Sequence, residues 1–156
     1  MSDEEIPHAD LANSPDEEDS IIVADDCMSI ERWPIVDVCF PAAVTRAQLN
    51  NHFRALRYLL RKGEPFVIIV DMDQIRTQSR ELRDFAATEL KDIFKPPEAS
   101  VVLAVAHLCD HWLGHAVLTI IRTVAPPAYQ NRLFRRQKLA EEWVQKILAK
   151  NQQEQK

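Results

Sequence analysis

The 156-residue chain has the length of one domain, and its 46% hydrophobic, 28% charged composition suits a globular chain with a real core. Its formal charge of −5 is unevenly placed: residues 1–26 hold ten of the 24 acids and no Lys or Arg, leaving 14 acids against 19 bases beyond them. With Gly63 and Gly114 as the only glycines, a P-loop, a GxGxxG turn and a GxSxG nucleophile elbow are all excluded, because each needs more glycine for close backbone approach.

Residues 1–20 combine acids, Pro7, Asn13, Ser14 and Pro15 with few large apolar groups, which predicts a disordered acidic tail. A periodic domain is expected over 21–150, and 151–156 are expected to be a disordered C-terminus. Ile21–Val23 and the stretch to Ile30 suggest one or two short edge strands. Ile35–Phe40, bounded by Pro34 and Pro41, reads as a strand. Thr45 and Gln48 form a capping-box pattern, Leu49, Phe53, Leu56 and Leu60 then recur at helical spacing, and Gly63 is placed to end that helix. Phe66–Val70 is a continuous β-branched run of the kind buried on both faces of a parallel sheet. A second helix carries Leu82, Phe85, Ala86, Leu90, Ile93 and Phe94 on one side, and Pro96-Pro97 stops it. Val101–Ala106 is another buried strand. Asp110 is placed to cap a third helix bearing Leu113, Val117, Ile120 and Ile121. Arg132–Phe134 suggests a last short strand, and Leu139, Trp143, Val144, Ile147 and Leu148 a final helix. The alternation predicts an α/β fold: a mostly parallel sheet of four to five strands with about four helices.

This order of elements resembles the SpoIIAA-like, or STAS-like, family of anti-sigma-factor-antagonist relatives. The matching features are the Trp33-Pro34-Ile35-Val36 lead-in to a strand, the Phe66–Val70 strand ending in Asp71, and a closing Phe134, Ala140, Trp143 segment. The resemblance implies a STAS-like domain acting as a non-catalytic protein–protein interaction module in bacterial regulation or signalling. In the antagonists a Ser in the loop after the central strand is phosphorylated, and that loop and the next helix dock the partner kinase. Here Thr77-Gln78-Ser79 stands where the family has its Asp-Ser-Ser-Gly stretch, a departure that supports the scaffold better than the phospho-switch. The residues so implied as partner-binding or regulatory are Asp73, Thr77, Ser79, Arg80, Arg83 and Asp84. The implied partner is another protein of the kinase or regulatory-factor class, with a homo-oligomer as a further possibility.

The remaining chemistry has bland readings that outweigh the sharp ones. His111 and His115 share an i,i+4 helix face, the spacing that two zinc ligands use, and His107 and Cys109 precede them. No HExxH glutamate is present, Asp110 serves as a cap, and no metal or cofactor is expected. Asp71, Asp73, His107 and His111 could line a crevice at the strand ends, which leaves a metal-dependent enzyme as one alternative, while the ligand-carrying STAS-like relatives imply as another a carrier of small apolar ligands in the sheet–helix crevice. The commoner role for such aspartates is bonding turn amides. Thr77 and Ser79 likewise suit N-caps. Arg132, Arg135, Arg136 and Lys138 form a basic cluster too small for a nucleic-acid footprint, which reads either as a solvated face or as a docking site for an acidic segment, this chain's own tail included. Trp33, Trp112 and Trp143 read as core or core-edge anchors; one exposed beside an apolar patch would instead mark an interface. Cys27, Cys39 and Cys109 lack a CxxC, against a disulfide framework, and Cys39 is expected to be a buried small hydrophobe. Without a leader pattern or a span-length apolar run, the chain reads as cytoplasmic, with no membrane insertion.

Overall fold

The computed structural model describes residues 27–76, 79–112, 116, 119 and 129–156. The tail, the Ile21–Val23 strand and the core positions expected of the third helix lie outside them. Five strands form one mixed sheet in the order β1 (Met28–Ser29), β2 (Ile35–Cys39), β3 (Phe66–Asp71), β4 (Val102–Leu108), β5 (Gln130–Phe134). β1 runs antiparallel to β2, and the other neighbours are parallel. Three α-helices have both ends among the described residues, α1 (Arg46–Lys62), α2 (Arg80–Ile93) and α3 (Gln137–Glu154), and Trp112, Ala116 and Thr119 are helical within the segment expected to follow Asp110. A 3-10 turn at Glu98–Val101 takes the first residue expected of β4. None of these helices is long and apolar enough to cross a membrane.

Local chemistry places the helix ends. Thr45 Oγ1 accepts from the Gln48 amide at 3.1 Å while Gln48 Oε1 accepts from the Thr45 amide at 2.9 Å, closing the capping box. At the far end Gly63 adopts φ 71°, the left-handed geometry that costs a glycine least, and its amide reaches the Leu60 carbonyl at 3.2 Å. α3 continues to Glu154, past the boundary expected at residue 150, so four residues assigned to a disordered C-terminus are helical.

Strand periodicity then divides the core in two. Val36, Val38, Phe66, Ile68, Val102 and Val105 face α1 and α2. Ile35, Val67, Ile69, Ala104, Ala106 and Leu108 face the buried stripe Ala140, Val144 and Leu148 of α3. Successive crossovers of one hand along a sequentially ordered parallel sheet put their helices on one side, which leaves the other side for the C-terminal helix. Small side chains at Ala104, Ala106 and Ala140 let α3 approach closely. A register shift beside Phe66 and Val67 leaves Leu103 on the same side as Ala104. Arg32, between β1 and β2, bonds Asp37 at 2.6 and 2.9 Å and Glu141 of α3 at 2.9 Å. That pairing holds the Glu141 carboxyl below its ordinary range.

Cys39 is exposed, contrary to the burial expected from its apolar run. It shares the α3 side with Ile35 and Asp37, and α3 packs against the β3–β5 part of that side, so the end of β2 stays open to solvent.

Candidate functional site

The carboxyl ends of β3 and β4 carry most of the residues singled out by their chemistry. Asp71 Oδ1 accepts from the Asp73 amide at 2.9 Å, and Asp73 Oδ1 accepts from the Asp110 amide at 2.8 Å. Both acids thus serve turn amides, as the commoner role for such residues has it. The ladder continues past the strands, with the Met72 amide on the Leu108 carbonyl at 2.9 Å and the Cys109 amide on the Phe134 carbonyl at 3.0 Å. His107 is only 3% exposed, its Nε2 lies 3.4 Å from Asn131 Oδ1, and burial pushes its imidazole down to about 4. It is a neutral core histidine paired with Asn131 of β5 rather than a side chain open to a crevice with Asp71, Asp73 and His111.

A different trio does assemble. One ligand atom each from Asp73, Cys109 and His111 lies within 4.8 Å of the other two. Cys109 is 2% exposed, and its Sγ is 3.7 Å from the His111 carbonyl oxygen. His111 Nε2 is shielded from solvent and has no hydrogen-bond partner among the described residues. His115, the expected second member of the i,i+4 pair, lies outside the described residues. Sequence spacing could not reveal the trio, because Asp73 is remote from Cys109 in the chain and only the β3–β4 adjacency joins them. The available signal was that both follow ends of neighbouring parallel strands.

Of the residues implied as partner-binding, Thr77 lies outside the described residues. Ser79 caps α2, its Oγ accepting from the Leu82 amide at 3.2 Å. Arg80, Arg83 and Asp84 are exposed on the first turns of α2, with Arg80 and Asp84 paired at 3.9 Å. So open a pair contributes little to stability. Ser79, Arg80, Arg83 and Asp84 are exposed together at the start of α2, and Asp73 stands in the turn after β3.

The basic cluster forms a groove. Arg132, Arg135 and Arg136 from the β5 end join Leu139, Glu142, Trp143 and Lys146 of α3 around Phe134, enclosing about 490 Å³. Lys146 replaces the expected Lys138, because 139, 142, 143 and 146 share a helix face and 138 does not. Phe134 and Trp143 meet in a tilted arrangement with centroids 5.4 Å apart, the Arg132 guanidinium stands 5.3 Å from the Phe134 centroid, and Leu139 is 49% exposed. Arg135 pairs with Asp110 at 3.9 Å, joining the groove to the strand-end turns. Two residues further on Trp112 is 78% exposed, so it is not the core anchor expected. Trp33 and Trp143 do pack at the core edge.

A family described as a domain of unknown function, DUF7793, matches residues 47–148, from the first turn of α1 into α3. A search of the curated proteins finds no match.

Proposed function

The chain belongs to the DUF7793 family, and we propose that it works as a non-catalytic protein–protein interaction module, with the groove between β5 and α3 as its docking surface. The observation that carries this reading is the groove's composition: four cations and one acid surround an apolar floor of Phe134, Leu139 and Trp143. Aromatic and arginine side chains together are the usual anchors of an interface. Among the described residues β5 pairs only with β4, so its outer edge offers backbone groups to an added strand. The occupant this chemistry selects is an extended acidic segment of a partner protein.

A STAS-like fold and a cytoplasmic setting belong to the same proposal. The sequential parallel strands with α1 and α2 on one side support the first. The patch of Ser79, Arg80, Arg83 and Asp84 is its regulatory surface, where phosphate on Ser79 would meet free amides and the positive end of the α2 dipole. Enzymatic use of the strand ends is disfavoured by the backbone amides that engage Asp71 and Asp73.

Affinity capture with the wild-type chain and with Arg135→Glu/Arg136→Glu, followed by titration of the captured protein, tests the reading. The expected result is at least about tenfold weaker binding by the variant, a steep loss with added salt, and an unchanged circular dichroism melt. Equal affinity of the two chains would place the interface elsewhere. A gain in affinity on deleting residues 1–26 would show the acidic tail competing for the groove.

A further inference from the structure

We propose that Asp73, Cys109 and His111 bind a zinc ion at the carboxyl ends of β3 and β4, with a water in the fourth position. The inference goes beyond the docking role and does not depend on it. Its basis is the convergence of three different donor types, carboxylate oxygen, thiol sulfur and imidazole nitrogen, within 4.8 Å of one another. Calcium and magnesium take oxygen ligands, whereas a mixed S, N, O set at a tetrahedral centre suits zinc. Ligands bound to one tetrahedral zinc stand roughly 3.3–3.8 Å apart, given bond lengths of about 2.0–2.3 Å. Small rotations of the Asp73 and His111 side chains, neither of them buried, would close the remaining gap.

A second observation points the same way. His111 Nε2 is shielded from solvent and has no hydrogen-bond partner among the described residues. A buried polar atom left in that state calls for a reason, and a bound cation supplies one. The surroundings are also preorganised. The Asp110 amide, between the two C-terminal donors in sequence, holds Asp73 Oδ1 at 2.8 Å, leaving the other carboxylate oxygen for the metal. The Cys109 amide is anchored to β5 through the Phe134 carbonyl at 3.0 Å. On binding, the Cys109 thiol releases its proton to solvent and becomes a thiolate, so affinity rises with pH. The ion would cross-link the turn after β3 to the end of β4.

The test uses the full chain, stripped with a chelator and titrated with zinc by calorimetry and with cobalt(II) by absorption. The expected result is one equivalent of either metal, and a thiolate-to-cobalt charge-transfer band that Cys109→Ser abolishes. His111→Ala should weaken zinc by at least about tenfold. Cys39→Ser, which removes the exposed thiol, should leave both readouts unchanged. No uptake by the wild-type chain, a band that survives Cys109→Ser or is lost with Cys39→Ser, or unchanged affinity in His111→Ala would each overturn the site. If Cys109→Ser fails to fold, the zinc affinities of His111→Ala and Asp73→Asn decide between site and no site, since neither position is buried.

Discussion

α1 and α2 lie on the same side of the sheet with similar apolar spacing, yet they reach very different depths. α1 buries seven residues, among them Leu49, Phe53, Leu56, Leu59 and Leu60, whereas α2 buries Ile93 alone. Leu82, Phe85, Ala86 and Leu90 of α2 are only partly covered. α2 leans on α1: Arg57 reaches Glu89 at 2.8 Å, and the Arg46 guanidinium stacks 4.0 Å from the Phe85 centroid. An amphipathic stripe says which way a helix faces, not how far it sinks. Stability therefore concentrates in α1, and α2 keeps its outer face exposed to solvent.

The largest test of that contrast is truncation within each stripe. Leu59→Ala, at a fully buried position, should cost about 2–5 kcal/mol in urea unfolding. Leu90→Ala should cost only about 1 kcal/mol, and equal costs would erase the distinction between the helices. The sealed interior also has a titratable marker in His107, on the β4 position paired with Val70. Its folded value of about 4 lies below the ordinary 6.5, so between the two the unfolded chain takes up a proton that the native state refuses. Stability should accordingly fall as pH drops from about 6.5 toward 4, by up to about 3 kcal/mol. Unfolding titrations of His107→Gln should show that slope removed.

Caps give a smaller and sharper comparison. Thr45→Ala opens the capping box of the buried helix and should cost about 1 kcal/mol globally. Ser79→Ala removes the same kind of bond from α2, and its effect should appear mainly as faster hydrogen exchange in the first turn of α2. Smallest of all, Arg80→Ala and Arg83→Ala should shift stability by less than about 0.5 kcal/mol. Melting curves check that expectation, and a larger loss would mean that the patch proposed as regulatory is part of the scaffold.

Local sequence by itself determined the elements whose causes are local. Thr45 with Gln48 announces the start of α1 because the bonds span three residues, and Gly63 announces its end through a backbone angle that favours glycine. The Phe66–Val70 run declares a central strand because its side chains need apolar neighbours on both faces. Composition was equally decisive in excluding glycine-dependent phosphate chemistry. Features created by contacts between distant segments were left to the tertiary structure. Cys39 looked like core and is exposed, because its burial depended on which strands α3 would cover. Trp112 is exposed although it stands beside an apolar stretch, because local pattern does not specify what covers it. Only the parallel pairing of β3 with β4 brings Asp73 to Cys109 and His111, and only the packing of α3 beside β5 turns a basic cluster legible in the chain into a groove with an apolar floor. Hydrogen bonds between near neighbours are written in the chain; which strand ends meet, and which faces stay bare, is set by the topology of the whole sheet.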